Sequence, residues 1–173
     1  EIKALGDGRI GGYAVTFSDK NNPDLSDAKD YFNAKTYLGA RQGDGCDVTI
    51  NHGIPLSDIH PIFEKYADMM LPPVKTKLDE IGLFAETIVD MADEYQRMVY
   101  DLAEKKKLRW STGAVGHLVK RERKSNGSHE LKRWIIGEFA LTPTAAEPAN
   151  IVMPLKSYRS LVTKQGDLQS APK

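Results

Sequence analysis

Residues 109–150 read RWSTGAVGHLVKRERKSNGSHELKRWIIGEFALTPTAAEPAN, and this stretch carries most of what the sequence predicts. Two apolar segments, at 109–121 and 130–141, are separated by a polar run that contains Asn126-Gly127. Asn-Gly is a strong signal for a tight hairpin turn, because both residues adopt positive φ easily. The stretch therefore predicts two antiparallel strands joined at that turn.

Two polar side chains in this stretch call for an explanation. Ser111 follows the bulky Trp110 and precedes a pair of glycines, and Glu138 is the one acid in the apolar run WIIGEFAL. Burying an unpaired carboxylate is costly, so a buried Glu138 would need a partner. The alternative is that Glu138 points outward from an edge strand.

The register of a simple hairpin separates these two side chains. A two-residue turn would pair Glu138 with Val115, which shares a face with Ser111 because side chains alternate along a strand. Ser111 and Glu138 would then lie on one face but four residues apart, about 13 Å at ~3.3 Å per residue. A bulge at Gly113, a longer loop or a bend at a neighbouring glycine is needed to bring them together.

A third reactive group lies upstream, at the end of a predicted strand. Residues 46–52 read CDVTINH. Side chains alternate between the two faces of a strand, which places His52 on the same face as Val48 and Ile50, toward the core. A serine hydroxyl needs a base to take its proton, and histidine is suited to that task. A carboxylate can orient the imidazole and stabilise its charged form. Ser111, His52 and Glu138 are therefore the candidate catalytic residues.

The rest of the chain adds strands, helices and loops around these residues. Segments 9–17 and 74–89 are predicted to be strands, and the glycines of the first suggest a bulge or a close backbone approach. Segments 57–71 and 91–108 have apolar residues at helical spacing. Segment 31–38 fits either a short strand or one helical turn.

The other reactive side chains have simpler interpretations. His60, His117 and His129 are scattered and are interpreted as surface or structural residues. With one cysteine in the chain, they do not predict a zinc site, and we expect no metal or organic cofactor. Cys46 is interpreted as a small residue at the start of a strand rather than as a nucleophile.

Composition limits the classes of protein to consider. The chain has 173 residues, enough for one domain with a substantial core, and 24 basic residues balance 24 acidic ones. This balance gives no support to a specific nucleic-acid binder, which usually has a basic excess. The single cysteine excludes an internal disulfide and fits a reducing compartment. No apolar run approaches the ~20 residues of a membrane span, so we expect no membrane contact.

Five segments, in their order along the chain, resemble motifs of the prohead, or capsid-maturation, serine proteases of tailed bacteriophages. That family is related in fold to the herpesvirus maturation protease, assemblin. The similarity pairs the family's Gly-x-Ala strand with segment 12–17 (GYAVTF) and its N-H-D motif with segment 51–53 (NHG). It pairs the G-L-x-x-E motif with segment 82–86 (GLFAE) and the L-S-I-G-F motif with segment 110–114 (WSTGA). The E-V-S-L-V-T-x-P-A-N motif is similar to segment 137–150 (GEFALTPTAAEPAN). Two departures are the glycine in NHG and an apparent insertion at 144–147.

The resemblance implies an α+β, β-rich fold with a herpesvirus-protease-like β-barrel surrounded by a few helices. It implies a protease domain at 1–150. Segment 151–173 is polar and contains chain-breaking residues, and it is interpreted as a partly flexible or helical tail. The resemblance also implies Ser111 as the nucleophile, His52 as the general base and Glu138 as the third member, where herpesvirus relatives place a second histidine.

The same resemblance implies where and on what the protein acts. The expected substrates are segments of scaffolding or major capsid proteins, together with the protease itself, inside the assembling prohead in the host cytoplasm. A homodimer is also implied, since the herpesvirus relatives dimerise. The backbone N–H groups of Gly113 and Ala114 are our candidates for stabilising the oxyanion.

Two alternatives from other classes remain open. The first is a non-catalytic capsid-assembly or binding module with the same β-rich domain, in which the three polar residues can be changed without loss of function. The second is a nucleic-acid-binding β domain, which would bind in a salt-dependent manner. Its basic residues would be those at 105–107 together with Lys120, Arg121 and Arg123.

Overall fold

A computed structural model describes residues 8–54, 69–143, 145, 147, 150 and 153–154. Within these ranges the chain is rich in strands and poor in helices, which confirms the predicted β-rich α+β class. The elements, in chain order, are β1 (Arg9–Thr16), β2 (Asp30–Tyr31), β3 (Val48–Ile50), β4 (Lys75–Leu78), β5 (Gly82–Ile88), α1 (Glu94–Glu104), β6 (Arg109–Ala114), β7 (Lys120–Arg123), β8 (His129–Arg133), β9 (Ile136–Thr142) and β10 (Met153–Pro154).

The described strands form three small sheets, with the orders β10-β1-β5-β4, β2-β8-β7 and β3-β9-β6. The first sheet is antiparallel, whereas β2 and β3 run parallel to their neighbours in the other two. The described strands do not form the expected closed barrel. Closure requires every strand to pair on both sides, and each sheet here ends in strands that pair on one side.

The predicted hairpin forms, but its strands divide between two sheets. Strand β6 pairs with β9 and β7 pairs with β8, because a 3-10 turn at Gly116–Leu118 interrupts the first half. At the tip, the Lys124 N–H donates to the Ser128 carbonyl at 2.8 Å. Gly127 has a φ of 86°, as expected for a three-residue loop that ends in a left-handed residue. The loop is thus one residue longer than a two-residue turn.

One buried cluster joins the first and third sheets and the helix. Trp110 of β6 is completely buried and meets Phe139 of β9 edge to face, with ring centroids 5.8 Å apart. Truncating a buried aromatic residue typically costs 3–5 kcal/mol, so this pair holds β6 firmly against β9 beside Ser111. Other members of the cluster are Ile10, Ala14, Val15, Val48, Ile50, Leu83, Ala85, Val99, Leu108 and Leu141.

A buried asparagine connects β6 to β1. The Asn150 carbonyl accepts the Trp110 N–H at 2.8 Å, and its side-chain amide donates to the Ala14 carbonyl at 2.9 Å. Its side-chain oxygen accepts the Thr16 hydroxyl at 2.7 Å. Asn150 thus fixes the backbone immediately before Ser111 to the first sheet.

The helix is shorter than its apolar pattern predicts. It begins after Asp93, whose carboxylate accepts the Gln96 N–H at 2.8 Å as an N-cap. It ends near Lys106, which has a φ of 56° and bonds back to the Ala103 carbonyl in a Schellman-type cap. The lysines at 105–107 therefore follow the helix instead of forming its last turn. The helices in the described ranges are too short or too polar to span a membrane.

Two predicted segments lie largely outside the residues that the structure describes. Most of the helix predicted at 57–71 lies outside the described ranges; within them, Leu71 forms an isolated bridge with Val48. Most of the tail predicted at 151–173 also lies outside them. Its residues Met153 and Pro154 form β10, which pairs with β1.

A charged cluster joins the β7–β8 hairpin to the segment after β2. Glu130 is 7% exposed, and its carboxylate accepts hydrogen bonds from Lys124 and Lys132 at 2.5 Å each and from Asn33 at 3.0 Å. These hydrogen bonds, the one from Lys124 first, hold the pKa of Glu130 at about 2. A carboxylate that accepts these hydrogen bonds stays ionised across the neutral range and stabilises the hairpin.

Candidate active site

His52 lies in a short turn after β3. Asn51, His52 and Gly53 have φ angles of 47°, 57° and 72°, so three consecutive residues are left-handed. Asn, His and Gly adopt this region more readily than most residues. Val48 and Ile50 are buried as predicted, but the prediction that His52 continues their alternation is wrong, because the chain leaves the extended conformation after Ile50.

The neighbour of His52 anchors this turn. The Asn51 side-chain oxygen accepts the Thr142 hydroxyl at 2.8 Å, and its amide group donates to the Ile54 carbonyl at 3.1 Å. The Ile54 N–H in turn donates to the Asn51 carbonyl at 3.0 Å. Thr142 is the last residue of β9, so the turn is attached to the strand that carries Glu138.

The imidazole of His52 lies between the other two candidate residues. Its Nδ1 is 2.5 Å from Glu138 Oε1, and its Nε2 is 3.0 Å from Ser111 Oγ. About a third of each of the His52 and Glu138 side chains is exposed, 32% and 38%, so solvent and a substrate chain can reach the group. The structure therefore brings together the three residues that the sequence singled out.

These contacts determine which groups donate and which accept. An ionised Glu138 carboxylate can only accept, so the proton of a neutral His52 must be on Nδ1. Nε2 is then left as an acceptor for the Ser111 hydroxyl proton. This is the arrangement in which an imidazole acts as a general base toward a serine.

The sheet register explains how the residues meet. In the β6–β9 pair, Ser111 is opposite Ala140 and Gly113 is opposite Glu138, with an irregularity between Gly113 and Ala114. Ser111 and Glu138 share a face, as predicted, but they are offset by two residues rather than four, about 7 Å along the strand. The three-residue loop and the 3-10 turn at Gly116–Leu118 account for the difference, because the six residue steps from Ala114 to Lys120 lie opposite only three steps, from Arg133 to Ile136. On the other side of β9, β3 runs parallel and delivers the His52 turn.

Gly113 provides the space that Glu138 occupies. A Cβ built at Gly113 would lie 2.5 Å from Glu138 Cγ and 2.6 Å from its Oε1, closer than real contacts allow. Because the Trp110 N–H points away from β9 to Asn150, strand alternation turns the Gly113 N–H toward β9. That orientation does not favour Gly113 as an oxyanion donor. The oxyanion roles of Gly113 and Ala114 stay predictions.

A cleft of about 390 Å³ opens beside Ser111. It lies between the third sheet, the β7–β8 hairpin and the loop that precedes β2. The residues that line it are Ala14, Asp24, Ser26, Asp27, Ala28, Asp30, Phe32, Trp110, Ser111, Thr112, Arg121, Leu131, Trp134, Ala145, Glu147 and Asn150. The cleft is therefore the space that a group bound near Ser111 Oγ would enter.

The other reactive residues are placed apart from this group. His117 lies in the exposed 3-10 turn, and His129 bonds the Ala28 carbonyl at 2.6 Å. His60 falls outside the described ranges. Burial raises the pKa of the Cys46 thiol, which disfavours the thiolate needed for nucleophilic attack. Among the residues that the structure describes, no three His, Cys, Asp or Glu side chains form a group that could hold a metal ion.

One of the basic residues considered for nucleic-acid binding, Arg121, is already paired. The Arg121 guanidinium is paired with the buried Asp30 carboxylate, with Nε at 2.9 Å and an Nη at 2.8 Å. The side-chain hydrogen bond with Asp30 raises the pKa of Arg121 further. Lys120 and Arg123 are exposed on β7, and the lysines at 105–107 follow α1.

Sequence reasoning missed the residues that position the group. Asn51, Thr142 and Asn150 act through hydrogen bonds between distant segments, which no local pattern reveals. The one available signal was the triplet Asn-His-Gly, whose members all tolerate left-handed φ and which therefore favours a turn over a continued strand.

Comparisons with known proteins found no relative of this chain. No protein-family model matches it, and neither a curated protein nor a solved structure is detectably similar to it.

Proposed function

We propose that the protein is a serine endopeptidase in which Ser111 is the nucleophile, His52 the general base and Glu138 the residue that orients His52. One observation carries the proposal: the His52 imidazole is within hydrogen-bond distance of both the Ser111 hydroxyl and the Glu138 carboxylate. Three side chains separated by 59 and 86 residues in sequence meet in the order that acyl transfer requires.

The reaction follows from the proton positions. His52 Nε2 takes the hydroxyl proton while Ser111 Oγ attacks the scissile carbonyl, and Glu138 stabilises the resulting imidazolium. His52 then gives this proton to the leaving amine, which departs as the new N-terminus, and an acyl-enzyme remains on Ser111. Water, activated by the same imidazole, hydrolyses the ester and restores the free hydroxyl. The chain's own residues supply every proton transfer.

For the biological substrate, we propose scaffolding or major capsid protein segments within an assembling phage prohead, with cleavage of the protease itself. The order of the five sequence motifs supports this part of the proposal. The departure at Gly53 is compatible with the turn geometry, because glycine adopts the left-handed φ of that position without strain. On the basis of the same resemblance, we also propose that the protein forms a homodimer.

A serine-reactive fluorophosphonate probe tests the chemistry without requiring a known substrate. Ser111 Oγ would form a bond to phosphorus as fluoride leaves, and His52 would take the proton. We expect intact-mass spectrometry to show one adduct, located on Ser111, and no adduct in Ser111→Ala or His52→Ala. Ser125→Ala, at the exposed hairpin tip, is the matched control and should label normally.

A further variant tests the third member. Glu138→Gln keeps the size of the side chain but removes its charge, and we expect labelling to slow by about 10³- to 10⁴-fold, as when the carboxylate of a catalytic triad is neutralised. Cleavage of capsid or scaffold substrate by Ser111→Ala, or labelling of the wild-type chain elsewhere than Ser111, would exclude the proposed nucleophile. A protein that does not label at all would favour the non-catalytic module.

A further inference from the structure

The cleft beside Ser111 has a wall suited to an aliphatic stem. Phe32 and Trp134 meet edge to face at 5.7 Å between ring centroids, and Leu131 and Ala14 continue the apolar surface. The Trp134 indole N–H donates to the Thr112 hydroxyl at 3.1 Å, which fixes the ring next to the residue that follows Ser111. The wall therefore forms a fixed apolar surface that begins at the proposed nucleophile.

The lining of the cleft also carries negative charge. Four carboxylates line it, those of Asp24, Asp27, Asp30 and Glu147, against one cation, Arg121. The buried Asp30 is neutralised by Arg121.

Asp24 and Asp27 differ from Asp30 in having no such ion pair among the described residues. Asp24 accepts hydrogen bonds from Ser26 and from the Asp30 N–H, which orient its carboxylate without cancelling its charge. Neither Asp24 nor Asp27 forms an ion pair with a described lysine or arginine.

We propose that this cleft receives a lysine or arginine side chain of the substrate, from the residue directly before the scissile bond. The proposal rests on the proposed peptidase function. The acyl part of the substrate becomes bonded to Ser111 in the first step and is released in the second, so we assign the cleft that adjoins Ser111 to the residue on the acyl side. A long aliphatic stem covers the Phe32–Trp134 wall, and its cationic end reaches Asp24 and Asp27. An acidic side chain is repelled there, and a neutral one of equal length leaves the carboxylates without a partner.

Diphenyl phosphonates that mimic this residue test the proposal on the intact chain. In each reagent Ser111 Oγ attacks phosphorus and a phenol leaves, so the second-order rate of adduct formation reports recognition without turnover. We expect the lysine reagent to react at least tenfold faster than the norleucine reagent, which has nearly the same length and no charge. The glutamate reagent should be the slowest of the three.

Two variants test whether the preference for the lysine reagent comes from the cleft. Asp24→Asn together with Asp27→Asn keeps the acceptor oxygen that orients the loop but removes both charges. It should slow the lysine reagent at least tenfold and leave the norleucine reagent within about twofold. Asp101→Asn, the same change on the exposed side of α1, is the matched control and should alter neither rate.

The outcomes separate the two proposals, because the simple fluorophosphonate carries no basic side chain. If Ser111 reacts with it while the norleucine reagent matches or exceeds the lysine reagent, the cleft assignment is overturned and the peptidase proposal stands. Equal slowing of both reagents in the double variant also overturns the assignment, since it indicates a structural defect. If no reagent modifies Ser111, both proposals fail.

Discussion

Replacing Gly113 with alanine perturbs Glu138 without changing any of the three proposed catalytic side chains. The added Cβ would lie 2.5 Å from Glu138 Cγ, 2.6 Å from Oε1 and 2.9 Å from Cδ. Non-bonded carbon atoms pack at about 3.5–4.0 Å, so the Glu138 side chain must retreat by about 1 Å. The Gly113 backbone is not in the left-handed region, so the backbone itself accepts an alanine.

The consequence for His52 follows from this displacement. The Nδ1–Oε1 distance is 2.5 Å, and a retreat of about 1 Å brings it to about 3.5 Å, at the limit of a hydrogen bond. Loss of the corresponding carboxylate contact in a catalytic triad lowers kcat by about 10⁴-fold. Since Glu138 keeps its charge and stays nearby, we expect Gly113→Ala to slow the labelling of Ser111 by about 10²- to 10³-fold.

Two measurements check this expectation. The first is the second-order rate of fluorophosphonate labelling, followed by intact mass. The second is the proton NMR resonance of the His52 Nδ1–H, which should lie far downfield in the wild type and shift or disappear in Gly113→Ala. Gly137→Ala is the matched control, because its Cβ would meet Val115 at an ordinary 3.5 Å. Its labelling rate should stay within about threefold of wild type.

Unchanged labelling and an unchanged downfield resonance in Gly113→Ala would refute the reasoning. They would mean that Glu138 reaches His52 without the space left by the glycine. Slow labelling in Gly137→Ala as well would show that the sheet, rather than the carboxylate, is sensitive to added methyl groups.

The remaining predictions concern the residues that hold the site and the hairpin. Thr142→Val removes the hydroxyl that anchors Asn51, a bond of about 1 kcal/mol, so labelling should slow by about 5- to 10-fold with an unchanged circular dichroism spectrum. Gly53→Ala meets no atom within 4 Å but places an L-residue at a φ of 72°, so it should lower the free energy of unfolding by about 1 kcal/mol, and Gly53→Asn by less. Glu130→Gln should lower it by on the order of 1–2 kcal/mol at neutral pH. The pKa of Glu130 is depressed from 4.5 to about 2 in the folded chain, so urea unfolding should show that this difference is complete above pH 4.5 and disappears as the pH falls toward 2.

Local patterns predicted part of the site geometry. Alternation placed Ser111 and Glu138 on one face, and the pairing of Gly113 with Glu138 agrees with that prediction. The predicted separation was too large, because the hairpin has a three-residue loop and its first half contains the additional residues of the 3-10 turn at Gly116–Leu118. The net shift is two residues, which leaves Ser111 and Glu138 on the same face, so alternation cannot detect it.

Long-range pairing was not predictable from the same patterns. Strand β3 pairs parallel with β9 across about ninety residues of sequence, and nothing in its own composition identifies that partner. The division of the hairpin between two sheets is likewise a result of packing, since Trp110 and Phe139 fix one half in the core. The left-handed turn at His52 could have been inferred from Asn-His-Gly, but the alternation of the preceding residues concealed it.

The position of β9 between β3 and β6 has a consequence for the order of events during folding. The proposed nucleophile Ser111 and the proposed orienting residue Glu138 lie on one hairpin, whereas the proposed base His52 lies 59 residues before Ser111. Local hairpins form early, and pairings that close long loops form later because their entropic cost is larger. Competence for labelling should therefore lag behind the far-UV circular dichroism signal during refolding, and simultaneous recovery would contradict this. A chain still leaving the ribosome would then hold an unreactive Ser111, and the proposed peptidase activity would arise only when β3 pairs with β9.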